Sequence, residues 1–198
     1  MGQLFEALSP RHVAFIEAQK IFFVGTAAAE GTVNLSPKGG DSLRVIDAHT
    51  LAWLNLTGSG NESAAHVLQY PRMTVMFCAF EGAPLILRAY GRARVLHRSD
   101  PEWSSFLARF PQSVAARQIF LLDIARVQAS CGMSVPLYEY QGDREDLANW
   151  SERQGREGIE AYWRKKNQLE RDPGAKRTIT GPLRGATHTK ANTKKPCP

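Results

Sequence analysis

The 198-residue sequence has little that could cross-link a chain, anchor it in a membrane or export it. Its three cysteines, Cys78, Cys131 and Cys197, lie far apart and form no C-x-x-C pair, so no disulfide framework is indicated. The longest apolar run, Val75 to Phe80, is far shorter than the roughly 20 residues that span a bilayer. No basic segment followed by a long apolar one opens the sequence, so no signal peptide is predicted. These absences predict a soluble cytoplasmic protein.

Acidic charge is scarce near the C-terminus, and the formal net charge of +6 comes entirely from that region. Residues 171–198 contain one acid, Asp172, and seven basic residues: Arg171, Lys176, Arg177, Arg184, Lys190, Lys194 and Lys195. Residues 1–170 are balanced in charge, so the folded part gives no argument for specific nucleic-acid binding. We therefore predict one domain over residues 1–170, followed by a basic, disordered tail over residues 171–198.

Familiar catalytic motifs are also missing. There is no G-x-S-x-G and no H-E-x-x-H, and the five histidines have no metal-ligand spacing, so no metal site is predicted. Cys131 precedes Gly132 after a predicted strand and is the more interesting thiol, whereas Cys78 lies in the most apolar strand and is expected to be inert. A catalytic thiol needs a lowered pKa, so no catalytic residue is assigned.

The sequence does have short apolar runs, separated by Gly, Pro, Asn and Asp, from Ile21 to Val95. This pattern, with a further run over residues 118–127, predicts a mainly β protein with peripheral helices, built on a six-stranded antiparallel barrel. Gly91 interrupts the longest predicted strand and indicates a bulge. Helices are expected after Ser9-Pro10, Asn61, Asp100 and Asp143, the last interrupted at Gly155 and Gly158.

The connection Gly58-Ser59-Gly60-Asn61 leads from a predicted strand into a predicted helix. Glycines let backbone N–H groups approach a ligand, and a helix N-terminus adds unpaired donors and the positive end of a dipole. Thr57, Ser59, Asn61 and Ser63 add neutral hydrogen-bonding side chains. The segment therefore predicts a phosphate-binding corner, and an ordinary strand-to-helix connection capped by Asn61 is the alternative interpretation.

Basic residues accompany two other predicted strands. Lys38 lies just past the strand that carries Asn34 and Ser36 on one face, and a cation there suits the pyrimidine side of a reduced flavin. Arg88 and Arg92 occupy alternating positions on another strand and could bind a phosphate bidentately. A solvated lysine in a glycine-rich turn and a solvated strand face with ion pairs are the alternatives.

Three segments together resemble one family. Residues 33–39 resemble the second-strand motif of the FMN-binding split-barrel proteins, the superfamily of pyridoxamine 5′-phosphate oxidase. Residues 54–73 resemble its phosphate-binding corner, and residues 87–93 resemble its next long strand. The resemblance covers about Phe15 to Val127 and implies a six-stranded antiparallel split β-barrel. Segments within residues 130–167 are further similar to bacterial oxidase-related FMN-binding proteins.

The resemblance implies a homodimer with FMN at the subunit interface. The flavin ring would be lined by Asn34, Ser36 and Lys38. The ribityl phosphate would be held by Asn55, Thr57, Ser59, Gly60, Asn61 and Ser63. Arg88, Cys131 and Trp150 would reach the site of the neighbouring subunit.

Departures from the family pattern bear on the substrate. Val33 stands where the oxidase has an arginine, and Asn61-Glu62-Ser63 stands where it has an Arg-Lys pair. The oxidase's C-terminal tryptophan–arginine motif is not recognisable. We therefore expect that the substrate is not pyridoxamine phosphate. Glu62 would disfavour a phosphate unless it points away or pairs with Lys38 or Arg44.

Three functions remain open from the sequence. The first is an FMN-dependent oxidoreductase of unknown substrate, in which a deazaflavin could replace FMN. The second is a flavin- or haem-binding module with a storage, sensing or degradative role, with His66 or His97 as candidate haem ligands. The third is a structural dimer with an empty site.

Overall fold

The apolar runs form the strands of one antiparallel sheet. The computed structural model describes residues 2–166, so the predicted tail over residues 171–198 lies outside the described residues. The strands are β1 (Gln3–Phe5), β2 (Phe22–Ala27), β3 (Val33–Lys38), β4 (Leu43–Asp47), β5 (Thr50–Leu56), β6 (Arg72–Cys78), β7 (Leu85–Leu96) and β8 (Ala116–Cys131). The predicted mainly β, antiparallel architecture is confirmed, but the described chain has eight strands instead of six. The three-residue strand β1, which pairs with β8, is too short to show an alternating pattern.

The strands follow the order β3-β2-β6-β7-β8-β5-β4. The long strands β7 and β8 lie at the centre of this order, and the short strands β3 and β4 lie at its two ends. In β3, Asn34 and Ser36 alternate with the exposed residues Val33 and Leu35, as the sequence predicts, and the strand extends one residue further than predicted, so that Lys38 joins the same face. Because Ser36 pairs with the buried Val24 of β2, the polar side chains of β3 face the inside of the sheet.

The predicted bulge at Gly91 is confirmed. The register between β7 and β8 shifts between Tyr90 and Gly91, so Ala125 of β8 has no partner opposite it. The β8 backbone approaches β7 so closely there that a Cβ on Gly91 would collide with the carbonyl group of Asp123. Only glycine fits this position without a shift of the sheet.

Gly91→Ala should therefore lower the free energy of unfolding by about 1–3 kcal/mol, the usual cost of forcing atoms into a packed site. Denaturant unfolding followed by circular dichroism measures the change. Gly25→Ala on β2 is the matched control, because its nearest neighbour to an added Cβ lies at an ordinary 3.8 Å. Equal stability of the two variants would contradict the close approach.

Two apolar clusters pack against the sheet. The larger contains Phe22, Trp53, Phe77 and Phe120, with the Trp53 and Phe120 rings stacked at 4.5 Å between centroids. The smaller is built around Trp103 and other residues near the short helix α3 (Trp103–Leu107). Trp53 belongs to the larger cluster, and the Lys38 side-chain nitrogen lies over its ring, so the core extends to the polar face of β3.

The helices begin largely where the sequence predicts. Helix α1 (Pro10–Ala18) starts with a reciprocal hydrogen-bonded cap between Ser9 and His12. Helix α2 (Glu62–Gln69) follows Asn61, whose side chain makes no cap hydrogen bond. Helix α4 (Asp146–Lys166) is broken at Gly155, with φ 62°, but Gly158 does not interrupt it, so that part of the prediction was wrong.

Candidate functional site

The polar face of β3 meets the first turn of α2. The Asn34 side-chain amide donates to the Ser63 hydroxyl at 3.0 Å, and the Ser36 hydroxyl donates to the Asn34 side-chain oxygen at 3.2 Å. Residues 29 positions apart in the sequence are thus linked into one chain of hydrogen bonds. The structure therefore brings the predicted ring-lining strand and the predicted phosphate corner together.

Three buried amide side chains lie under the same corner. Asn55 of β5 donates to the Asn61 side-chain oxygen at 3.4 Å and to the Gln118 side-chain oxygen at 3.2 Å. Gln118 is 1% exposed, and Asn55 and Asn61 are each 5% exposed. The side-chain nitrogens of Asn61 and Gln118 find no acceptor within residues 2–166. Buried donors without an acceptor are costly in an apolar interior, so these two groups indicate a place for a hydrogen-bond acceptor.

Arg117, which the sequence reasoning missed, completes the corner from β8. Its guanidinium group donates to the backbone carbonyls of Gly60 at 3.1 Å and Gly58 at 3.4 Å, and the residue is 5% exposed. In a trans peptide the N–H points away from the carbonyl, so the following N–H groups of Ser59 and Asn61 point away from Arg117. Arg117 thereby adds positive charge and orients the backbone donors of the loop.

Glu62 lies over the corner. Its carboxylate folds back against Gly60, so closely that a Cβ on Gly60 would collide with both carboxylate oxygens. Of the two predicted cationic partners, Lys38 interacts with Glu62, whereas Arg44 binds Asp41 at 2.6 Å. An acidic side chain thus occupies the N-terminal end of α2, where the dipole and unpaired N–H groups favour an anion.

Lys38 experiences opposing influences. Burial lowers its pKa, the nearby Arg117 guanidinium lowers the pKa further, and the Glu62 carboxylate raises it in part. The Lys38 nitrogen lies 5.2 Å from the centre of the Trp53 ring. A second anion near Lys38 and Arg117 would favour the protonated form of the lysine. The two cations of the corner can therefore balance the charge of an anionic ligand.

Helix α4 contacts the corner through Trp163. Trp163 of α4 donates its indole N–H to the Thr57 hydroxyl at 3.0 Å, and Thr57 donates onward to the Ala115 carbonyl at 2.9 Å. The Arg98 guanidinium lies over the Trp163 ring at 4.7 Å and donates to the Ala116 carbonyl at 2.6 Å. The single proton of the Thr57 hydroxyl is therefore already used to hold the loop in place.

Trp163→Phe should lower the free energy of unfolding by about 1 kcal/mol, because it removes one buried hydrogen bond and keeps most of the ring volume. Thermal and urea unfolding measure the change. Trp150→Phe on the same helix is the control, since the Trp150 ring packs on Tyr162 at 5.2 Å. A larger effect at Trp150 would mean that the Thr57 contact is not what holds α4.

Of the remaining predicted residues, Ser59 lies in the loop of the corner, whereas Arg88, Cys131 and Trp150 lie elsewhere in the chain. Arg88 pairs with Met76 of β6, and the strand pairings place the Arg88 side chain on the same face of the sheet as Pro37. The side chains of Ser36 and Lys38 lie on the opposite face. Its guanidinium group donates to the Ser130 hydroxyl at 3.0 Å, and Cys131 is exposed at the end of β8. Trp150 lies on α4, and Ser59 is exposed at the tip of the loop.

Other ligand types find less support in the described part of the chain. His66 is fully buried, and its ring bonds to the Thr26 hydroxyl at 3.1 Å, which places it in the core instead of at an open haem site. Burial raises the pKa of the Cys78 thiol, in keeping with an inert core residue. Within residues 2–166, no group of three acidic, His or Cys side chains could hold a metal ion, and no helix is long and apolar enough to cross a membrane.

Comparison with known proteins places the chain in a family. The family model described as pyridoxamine 5′-phosphate oxidase matches residues 8–131, which covers α1 to β8 and the whole corner. The chain belongs to this family. The resemblance predicted from residues 33–39, 54–73 and 87–93 is confirmed, and with it the split-barrel fold, with eight strands in place of six.

Individual relatives of the family show how far the similarity extends. The pyridoxamine 5′-phosphate oxidase family protein ustO of Aspergillus flavus is 36% identical over 150 residues, which is 73% of this chain and 60% of that protein. This chain thus spans 60% of the length of that curated relative.

Solved structures match over a similar part of the chain. An oxidase-related FMN-binding protein from Nostoc punctiforme is 14% identical, with a TM-score of 0.46, over 62% of this chain and 84% of that one. HupZ of Group A Streptococcus is 18% identical, with a TM-score of 0.47, over 61% and 91%. The FAD binding protein of Mycobacterium smegmatis is 10% identical, with a TM-score of 0.45, over 64% and 97%.

Proposed function

We propose that this member of the family binds FMN at the corner between β5 and α2 and acts as an FMN-dependent oxidoreductase. One observation carries the proposal: polar groups from β3, β5, α2 and β8 converge on a glycine-rich loop at a helix N-terminus. Arg117 and Lys38 supply positive charge there, and the buried amides of Asn61 and Gln118 supply donors. This combination suits a phosphate-bearing ligand.

The residues present fit such a ligand once Glu62 turns away from Gly60. The Glu62 carboxylate now lies where a phosphate would meet the first turn of α2, and it is only half-buried, so its side chain can rotate outward. Asn55, Asn61 and Ser63 keep hydrogen-bonding atoms at the corner, whereas the Thr57 proton is held by Ala115. Both amide hydrogens of Asn55 are likewise donated, to Asn61 and Gln118, so we assign Thr57 and Asn55 to positioning and Asn61 and Ser63 to ligand contact.

Flavin bound at this corner would supply a hydride acceptor, and the chain would supply its binding and orientation. Arg117 and the amide donors would hold the phosphate. Asn34 and Ser36, already ordered by hydrogen bonds, would orient the ring along β3. Lys38 would place a cation beside the ring, and its lowered pKa makes that charge sensitive to the charge of the ligand. No side chain needs to act as an acid or base in this scheme.

We further propose that two copies of the chain share the site. Val33 and Leu35 on the outer face of edge strand β3 are 76% and 65% exposed, which leaves an apolar strip beside the corner. Arg88, Cys131 and Trp150, which do not reach the corner of their own chain, would contribute to the site of the neighbouring copy. Sedimentation or light scattering of the purified chain tests the dimer, and Leu35→Asp should dissociate it.

The substrate is proposed to differ from pyridoxamine phosphate. Val33 is an exposed apolar residue in the position where the oxidase motif has an arginine, and Glu62 adds negative charge at the corner. A purified protein that oxidised pyridoxamine phosphate at a rate comparable to its other substrates would contradict this assignment.

Asn61→Asp should weaken FMN binding by about tenfold, because it replaces an amide donor by an anion next to the phosphate. Quenching of flavin fluorescence gives the dissociation constant, and the absorbance of the purified protein shows whether flavin co-purifies. Asn149→Asp, an exposed position on α4, is the control and should leave the constant unchanged. An unchanged FMN affinity in Asn61→Asp would place the phosphate elsewhere.

A further inference from the structure

A second cavity, of about 610 Å³, lies beside Lys38. It is bounded by the end of α1, the end of β3 and the segment 138–144 that follows β8; we name it the strap cavity. Its distinctive side chains are Lys20, Lys38, Phe80, Tyr138, Tyr140 and Arg144. The volume is typical of sites for small organic ligands. Lys38 belongs both to this lining and to the charge group of the corner, so the two sites are contiguous.

The walls of the strap cavity are aromatic and fixed by backbone hydrogen bonds. The Tyr138 and Phe80 rings lie 5.5 Å apart, and the Tyr138 N–H donates to the Phe80 carbonyl at 3.0 Å. The Tyr140 N–H donates to the Glu81 carboxylate at 3.3 Å. Even so, Tyr138 is 62% exposed and Tyr140 is 43% exposed. Ordered aromatic rings that remain open to solvent are well suited to stack on a flat ligand.

Two basic side chains at the strap cavity lack an ion-pair partner within the described residues. Lys20 lies 5.7 Å from the centre of the Tyr140 ring, and neither Lys20 nor Arg144 forms an ion pair within residues 2–166. Three basic side chains (Lys20, Lys38 and Arg144) and three carboxylates (Glu81, Glu139 and Asp143) line the cavity, so its formal charge balances. Glu81 accepts the Tyr140 N–H, and desolvation and a hydrogen bond to Asp143 raise the pKa of the Tyr140 hydroxyl. Two of the acids therefore already interact with Tyr140, whereas Lys20 and Arg144 have no acidic partner in the described part of the chain. A carboxylate on the ligand would pair with them.

We propose that the strap cavity is the substrate site of the flavoprotein, and that its substrate is a flat aromatic carboxylic acid. The ring would lie against Tyr138 and Phe80, and the carboxylate would lie toward Lys20 and Arg144. This inference rests on the proposed function, because it takes the corner next to Lys38 as the flavin site. The cavity itself, however, can be tested without flavin.

Benzoate and cyclohexanecarboxylate are the probes, since they share a charge and differ in aromaticity. Saturation-transfer NMR and calorimetry on the full chain, with and without FMN, measure their binding. We expect saturable benzoate binding that is at least about threefold tighter than cyclohexanecarboxylate binding, weakened by a similar factor in Tyr138→Ala and in Lys20→Gln. Met133→Ala, at an exposed position between β8 and the segment 138–144, and Lys165→Gln on α4 are the controls and should bind benzoate normally.

The outcomes separate this proposal from the flavin assignment. Benzoate binding without any FMN binding would support the aromatic-acid site and overturn the flavin site. FMN binding without saturable benzoate binding, or with equal binding of the two probes, would overturn the inference alone. Competitive displacement of benzoate by FMN would also overturn it, because the strap cavity would then hold the flavin ring. A change of oligomeric state in Tyr138→Ala, with benzoate affinity unchanged, would assign the tyrosine to a subunit contact instead.

Discussion

Replacing Glu62 by glutamine is expected to strengthen FMN binding by about tenfold or more. In the structure the Glu62 carboxylate lies against Gly60 at the first turn of α2, where the phosphate is proposed to bind. Binding must therefore displace an anion that already interacts with Lys38, or else place two anions side by side. Glutamine has nearly the same shape and no charge, so it removes both costs.

Riboflavin makes this prediction specific, because it has the same ring as FMN and no phosphate. The Glu62→Gln variant should gain affinity for FMN and not for riboflavin. Fluorescence quenching gives the two dissociation constants, and their ratio measures the coupling between residue 62 and the phosphate. Glu6→Gln, an exposed acid near β1, controls for net charge. An equal gain for both ligands would show that Glu62 acts on the ring or on folding.

Local sequence signals predict the parts of the fold that depend on neighbouring residues. Ser9-Pro10 marks the start of α1, Gly91 marks the bulge, and the alternation around Asn34 and Ser36 predicts their shared face. In each case the physical cause acts over a few positions: a cap, a close backbone approach or the period of a strand. These features could be predicted without knowing the strand order.

The parts of the site that sequence reasoning missed depend on distant contacts. Arg117 contacts Gly60 and Gly58, which are 57 and 59 positions away in the sequence. Trp163 contacts Thr57, which is 106 positions away. Arg117 lies near the start of β8, next to a run of buried residues, and no recognisable motif surrounds it. Only the pairing of β5 with β8 reveals its role. The orientation of Glu62 was likewise open in the sequence, because it depends on which cation lies nearest after folding.

Arg117→Gln is expected to weaken FMN binding by about a hundredfold, the largest loss predicted for a single residue of the corner. The guanidinium group supplies charge near the proposed phosphate and orients the loop through the Gly58 and Gly60 carbonyls. Removing the guanidinium group loses both contributions, so the affinity for FMN should fall much more than the affinity for riboflavin. The variant should also be less stable, because charge-assisted hydrogen bonds in a buried site contribute about 1.5–3 kcal/mol each.

Arg117→Lys separates the charge from the orientation of the loop. Lysine keeps the positive charge but lacks the planar guanidinium group whose Nη1 nitrogen donates to both carbonyls, so we expect a partial recovery of FMN affinity. Circular dichroism and thermal unfolding establish that each variant is folded, and Arg92→Gln on the exposed part of β7 controls for the loss of a surface cation. If folded Arg117→Gln kept the parent chain's affinities for both FMN and riboflavin, the phosphate could not lie at this corner. A loss shared equally by both ligands would restrict Arg117 to shaping the loop.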